Sequence, residues 1–163
     1  DRIHSMLYGA RRFENVNIAG FVRKLYAQLA QMYVGQSKKI TPEFYLEDVY
    51  LSIDKAVPLG LVINEILANV FKHAFPGDGS GKVEIHLRKG DADRVSLYIS
   101  DNGAGIPEKV DVETTHSMGL KLMRIIVREQ LHGVLRVERG QGTTVSMKFF
   151  ALRTGGPNER TTA

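Results

Sequence analysis

The sequence predicts an α+β fold in two layers, a mixed, largely antiparallel sheet covered on one face by about three helices. Two runs alternate cleanly, Val83, Ile85, Leu87 and Val95, Leu97, Ile99, with the Gly90-Asp91 turn region between them. Such alternation puts one side of a sheet in a core and the other in water. The order along the chain is helix, helix, strand pair, helix, strand pair, helix, strand pair. Each half-buried strand needs a cover, and three helices supply it.

Each element has its own signal. Ile3, Met6, Leu7 and Ala10 recur at helical spacing, as in the tail end of a helix. After a turn-like stretch from Arg11 to Asn17, a helix is predicted over 18–34 on the stripe Ile18, Phe21, Val22, Leu25, Leu29, Met32 and Tyr33. Asn17 caps its start and Gly35 follows its end. Residues 40–46 and 49–53 read as short strands, the second with Val49, Leu51 and Ile53 on one side. Asp54 then caps a helix in whose first turn Pro58 is tolerated, and which ends before the loop-forming run Pro76 to Gly81. A helix over 119–132 carries Leu122, Met123, Ile126, Val127 and Gln130, with Gly133 as its stop. A last hairpin, 134–138 and 144–149, turns at Gly140-Gln141-Gly142. The residues after Leu152 are polar and read as a frayed tail.

At 163 residues the chain fits one domain with a sizeable core. Its 43% hydrophobic and 25% charged content is that of a soluble globular protein. No apolar run is long enough to span a bilayer and no signal leader is present, so the chain reads as neither secreted nor membrane-spanning. The absence of cysteine excludes disulfides and thiolate metal sites and agrees with a reducing cytoplasm, while the five scattered histidines show no metal-ligand pairing. The net charge of +4 is dispersed, with none of the basic, aromatic-interleaved stripes that follow a nucleic acid backbone; no nucleic acid partner is expected. The chain begins at Asp rather than Met, which reads as a piece of a longer protein.

Four segments carry chemistry. In the helix that follows Asp54, Glu65, Asn69 and Lys72 fall in one sector at about 100° per residue, opposite Val62, Ile66, Val70 and Ala74. A carboxylate, an amide oxygen and an ammonium so aligned make either a site or the solvated stripe of an amphipathic helix. Asp101-Asn102-Gly103-Ala104-Gly105-Ile106-Pro107 follows a strand. Its carboxylate can accept from an amino group and its glycines admit close approach of a ligand, or Asp101 simply caps its own backbone in a turn. Ser117-Met118-Gly119-Leu120 opens a helix, where free N–H groups and the dipole favour phosphate; the plainer reading is a serine cap. Gly140-Gln141-Gly142-Thr143-Thr144 is a hairpin turn whose Thr143 hydroxyl can face the same cleft. Neither a dinucleotide fingerprint nor a P-loop is present.

In this order the four segments resemble the N box, G1 box, G2 box and terminal Gly-Thr element of the GHKL superfamily of ATPases and kinases, over about residues 40–150. That resemblance implies the Bergerat fold and binding of ATP with Mg²⁺. Asn64-Glu65-Ile-Leu-Ala-Asn69-Val-Phe-Lys72-His73-Ala74-Phe75-Pro76 is similar, more narrowly, to sensor histidine kinases related to the HWE group, although the chain has no tryptophan for that group's Trp-x-Glu element. Residues 1–12 resemble the end of the dimerisation and phosphoacceptor hairpin, with 13–152 as the catalytic domain and 153–163 as tail.

The resemblance implies Asn69 as Mg²⁺ ligand, Lys72 and His73 near the ATP phosphates, and Asp101 as acceptor for the adenine amino group. Gly103, Gly105 and Ile106 would shape the base pocket with Thr143 at its far side, and Met118, Gly119 and Leu120 would meet phosphate. Glu65 stands where relatives place a general base or a residue orienting the acceptor. Two departures stand out. The loop from Pro107 to Ser117 is short and lacks an aromatic F box, and no phosphoacceptor motif is present; His4, His86 and His132 have plainer roles, and His116 borders the presumed lid, within reach of phosphate. The implied function is transfer of the γ-phosphate to a histidine outside these residues, in a cytoplasmic and homodimeric parent protein that signals to a response regulator. An anti-sigma-factor-type serine kinase and a non-catalytic nucleotide sensor of the same fold remain alternatives.

Overall fold

The computed structural model describes residues 15–33, 39–75, 80–104 and 118–151. A two-residue strand β1 (Val16–Asn17) leads into helix α1 (Ile18–Tyr33), followed by β2 (Lys39–Leu46), β3 (Tyr50–Leu51) and helix α2 (Ile53–Asn69). A π turn (Val70–Ala74) ends α2. Then come β4 (Ser80–Lys89), β5 (Arg94–Asp101), helix α3 (Met118–Glu129), β6 (Val134–Gly140) and β7 (Gly142–Phe150).

The main sheet has the order β2-β4-β5-β7-β6, antiparallel except for the parallel pair β2–β4. Residues 40–46 and 49–53 are therefore not the strand pair their patterns suggest. A parallel partner needs a crossover, and α2 is that crossover between β2 and β4. β3 instead pairs with β1, Val16 opposite Leu51, which turns the turn-like 11–17 stretch into a strand at its end. Ile53 opens α2 rather than closing β3, and is 40% exposed.

The core lies between the sheet and the helices. Val83, Ile85, Leu87, Val95, Leu97 and Ile99 are each at most 1% exposed, as the alternation requires. They meet Val22 and Leu29 of α1, Leu59, Ile63 and Leu67 of α2, and Val127 of α3. Met32 and Leu122, placed on apolar stripes by spacing, are exposed, as is Gln130. The Phe71 ring in the π turn stacks on Tyr33 at 5.7 Å and tilts against Tyr26 at 5.2 Å, which fastens the end of α2 to α1. Tyr26 donates its hydroxyl to the Ile40 carbonyl at 3.3 Å, and burial pushes that hydroxyl up to about 12.

Helix ends follow capping rules with three shifts. Gly20 N–H donates to Asn17 Oδ1 at 3.2 Å, the cap read from the sequence. Ser52, not Asp54, is the cap residue of α2, and its side chain makes no capping bond. Asp54 sits in the first turn beside the positive end of the dipole. Pro58 accordingly lies past the first turn, where it removes one helical hydrogen bond. At the end of α3 the left-handed residue is His132, φ 54°, and Gly133 N–H closes on the Val127 carbonyl at 2.9 Å. Gly133 is required for a different reason: a Cβ there would collide with the Lys148 carbonyl and Phe149.

Candidate functional site

The end of α2, the start of α3, the end of β5 and the start of β7 meet at one end of the sheet. On α2, Glu65 and Asn69 are half-buried one turn apart, with Val62, Ile66 and Val70 buried behind them. A uniform α-helix would bring Lys72 into the same sector. From Val70, whose N–H still bonds the Ile66 and Leu67 carbonyls, the chain continues as the π turn, on which Lys72 and His73 stand exposed. No turn residue or break in the apolar run marks that turn.

Glu65 reaches across to the first turn of α3. A Cβ on Gly119 would overlap Glu65 Oε1, so glycine is what lets the carboxylate sit against the helix start. That end of a twelve-residue helix has unpaired N–H groups and the positive end of the dipole. Gly119 and Leu120 are half-buried beside it. Gly105 and Ile106 lie outside the described residues, as do the Pro107–Ser117 loop, His4, His116 and the Met118 side chain.

Asp101 ends β5 and is 9% exposed. Its Oδ1 accepts the Gly103 N–H at 2.9 Å, and the Thr143 backbone N–H also donates to the carboxylate. Burial raises the Asp101 pKa above its ordinary value, and these two donors oppose the rise. The capping turn read from the sequence is therefore present, and it fixes the carboxylate rather than merely closing a loop.

The loop after Asp101 is held on three sides. Asn102 exchanges two bonds with β4, its N–H to the Lys82 carbonyl at 3.2 Å and its Oδ1 from the Lys82 N–H at 2.8 Å. Ala104 N–H donates to the Ala74 carbonyl at 2.6 Å, and a Cβ on Gly103 would run into that same carbonyl. On the third side Gly142, φ 149°, packs on the Asp101 carbonyl where no Cβ fits. Asn102 and Gly142 were passed over as site residues in the sequence, although the Asp-Asn-Gly and Gly-Gln-Gly runs contain them.

Thr143 lies opposite Asp101 in the β5–β7 ladder and is half-buried. Its neighbour Thr144 points to the uncovered face and shares a 2.9 Å bond with Ser100. A 370 Å³ concavity lies beside this end of the sheet, lined by Asp101 and Gly142 as well as Ser100, Asn102, Glu138, Gln141 and Thr144. Among the described residues no cluster of three His, Asp or Glu could hold a metal by itself.

A fold of this layering, with polar residues of α2, the first turn of α3 and a buried aspartate at one sheet end, defines a class. Residues 54–153 match the family described as histidine kinase-, DNA gyrase B- and HSP90-like ATPase, and the chain belongs to that family. Among its relatives, "Sensor histidine kinase PdtaS" of Mycobacterium tuberculosis is 33% identical over 108 residues, 64% of this chain and 21% of PdtaS. "Blue-light-activated histidine kinase 2" of Erythrobacter litoralis is 30% identical over 102 residues, 62% of this chain and 29% of that protein. The chain thus spans only a fifth to a third of these relatives. The histidine kinase domain of the Erythrobacter litoralis EL346 blue-light-activated kinase shares the fold with TM-score 0.73 at 23% identity, covering 83% of this chain and 62% of that one. The catalytic domain of histidine kinase ThkA does so with TM-score 0.68 at 19% identity, over 84% and 95%.

Proposed function

We propose that residues 13–152 form the ATP- and Mg²⁺-binding catalytic domain of a cytoplasmic, homodimeric sensor histidine kinase, and that residues 1–12 end its phosphoacceptor hairpin. The observation that carries this reading is the convergence of Glu65, Asn69, Gly119 and the fixed Asp101 carboxylate at one end of the sheet. Membership of the ATPase family and likeness to PdtaS support it.

In this reading Asp101, held by Gly103 and Thr143, accepts the adenine amino group, and Gly103, Gly105 and Ile106 shape the base pocket opposite Thr143. Asn69 presents its amide oxygen to Mg²⁺. A lone amide suits a hard ion that keeps waters and takes its other ligands from phosphate. Bound there, Mg²⁺ would neutralise charge developing on the transferred phosphoryl group. Lys72 and His73, exposed at the rim, approach the phosphates, while Met118, Gly119 and Leu120 offer backbone N–H groups at a helix start. Transfer breaks the bond between the γ-phosphorus and the bridging oxygen and forms a phosphorus–nitrogen bond on the acceptor imidazole, leaving ADP. Glu65 orients that imidazole and takes its proton. The acceptor histidine lies outside these residues, and the receiver of the phosphoryl group is a response regulator; ThkA has been solved in complex with one.

Calorimetry of the chain with Mg²⁺–ATP should show saturable binding that Asp101→Ala abolishes; no binding in the unsubstituted chain would reject the reading. Glu65→Gln should keep ATP binding and slow phosphotransfer by about 100-fold, and an unchanged rate would remove Glu65 from the chemistry. An acid-labile phosphorylated acceptor distinguishes phosphohistidine from the phosphoserine of a serine kinase.

A further inference from the structure

The sheet face away from the helices carries a patch that the nucleotide reading leaves without a role. Residues alternating with the core strands point there, and register sets them in two adjacent rows. One row runs His86, Tyr98, Ser146, Arg136 and the next Arg88, Ser96, Lys148, Val134. Tyr45 extends the first row on β2, directly opposite His86. With strands about 4.8 Å apart, the four-strand block is about 14 Å across.

Three properties make the block unlike an ordinary solvated face. It is aromatic and exposed: Tyr45, Tyr98 and Val134 are 49%, 39% and 64% accessible. It is cationic, because Arg88, Arg136 and Lys148 are exposed and no carboxylate lies among the paired residues of either row; Glu47, just past β2 at the end of the second row, is already engaged, its carboxylate accepting the Lys89 N–H at 2.8 Å. Among the described residues none of these three cations has an ion-pair partner. It is also concave, His86, Arg88, Ser96 and Tyr98 lining a hollow of about 300 Å³. Three further carboxylates, Glu43, Glu84 and Glu138, lie in the row beyond, where Glu43 holds Lys82 and accepts the Tyr45 hydroxyl, each at 3.3 Å, and Glu84 meets His86 at 3.3 Å.

We propose that this block docks an acidic segment of a partner protein. Tyrosine and arginine are the side chains that concentrate interface energy. Carboxylates of the partner would pair with Arg88, Arg136 and Lys148, while its apolar atoms cover Tyr98 and the hollow. Single-stranded nucleic acid is the other anionic occupant of open sheet faces, but it needs free ring faces for bases. Here the rings use one another: Tyr45 stacks on His86 at 4.6 Å and 18°, and His86 meets Tyr98 edge-to-face at 5.2 Å. A rigid aromatic ledge beside unpaired cations fits carboxylates better than stacked bases.

The test titrates fluorescein-labelled oligoglutamate into the full chain, followed by anisotropy, with labelled oligothymidylate in parallel and ¹⁵N shift mapping of the contact. Oligoglutamate should bind saturably and shift amides of β4, β5 and β7 around Arg88, Tyr98 and Lys148. The pair Arg88→Glu and Lys148→Glu should weaken it at least about tenfold, as loss of two exposed charge contacts implies. ATP binding should be unaltered, because neither residue belongs to the nucleotide site. Unchanged affinity in the double variant, or shifts confined to the helical face, would overturn the proposal. So would oligothymidylate binding tighter than oligoglutamate and lost in the same variant, which would assign the face to nucleic acid.

Discussion

Asp101 works against its own burial. Its carboxyl pKa is raised by desolvation, with the Gly103 and Thr143 donors pulling the other way. A carboxyl titrating higher in the folded than in the unfolded chain lends stability while protonated, and that contribution fades as pH rises through the folded value. Asp101→Asn removes the titration and keeps an oxygen for Gly103. The variant should therefore melt at or above the parent at pH 7, with the gap closing as pH falls towards the ordinary carboxyl value of 3.8, while ATP binding is lost. Thermal melts across that range check the sign, and a gap that widens on acidification would contradict it.

At the scale of elements, glycines report which contacts are rigid. Gly142 faces the Asp101 carbonyl in a left-handed backbone, whereas Gly119 faces only the tip of a flexible glutamate. Gly142→Ala should cost about 2–3 kcal/mol through strain and steric displacement. Gly119→Ala should cost about 1 kcal/mol or less, since Glu65 can swing aside, yet it should slow phosphotransfer by moving that carboxylate. Denaturant midpoints and rates for the two variants separate these outcomes; equal destabilisation would mean that Glu65 is clamped. The helices and the β4–β5 and β6–β7 hairpins were legible in the sequence because periodicity and turn residues are local. The β2–β4 parallel pair and the β1–β3 pair were not, because nothing in a short alternating run says which distant strand lies beside it. Glu65 and Asn69 could be singled out from spacing and Asp101 from its place after a strand, but the π turn that carries Lys72 could not, since it is held by Phe71 packing on Tyr26 and Tyr33, residues far away in the sequence.

Across the whole molecule, residues far apart in the chain converge at one end of the sheet, so a ligand bound there bridges elements that unfold together. Mg²⁺–ATP at 100 times its dissociation constant should stabilise the domain by about 2.7 kcal/mol through mass action. Differential scanning fluorimetry would show an upward shift that keeps growing with the logarithm of ligand concentration, and Asp101→Ala should remove it. No shift in the parent chain would count against the site. The two faces of the sheet differ: the helical side carries Glu65, Asn69 and Gly119, while the uncovered side displays the Tyr45–His86–Tyr98 ledge. Docking on one need not occlude the other.

The π turn has a further meaning as a matter of chain length. A wider turn accommodates one more residue than an α-helix of the same path, so the sequence from Val70 to Ala74 behaves as a helix carrying an insertion. Loss of a single residue there would heal the helix, shift the register of the residues that follow, rotate Ala74 away from Ala104, and unlatch the Asp101 loop. The reading frame of this helix, counted in single residues, is thus a constraint on the site as strict as the identity of its side chains.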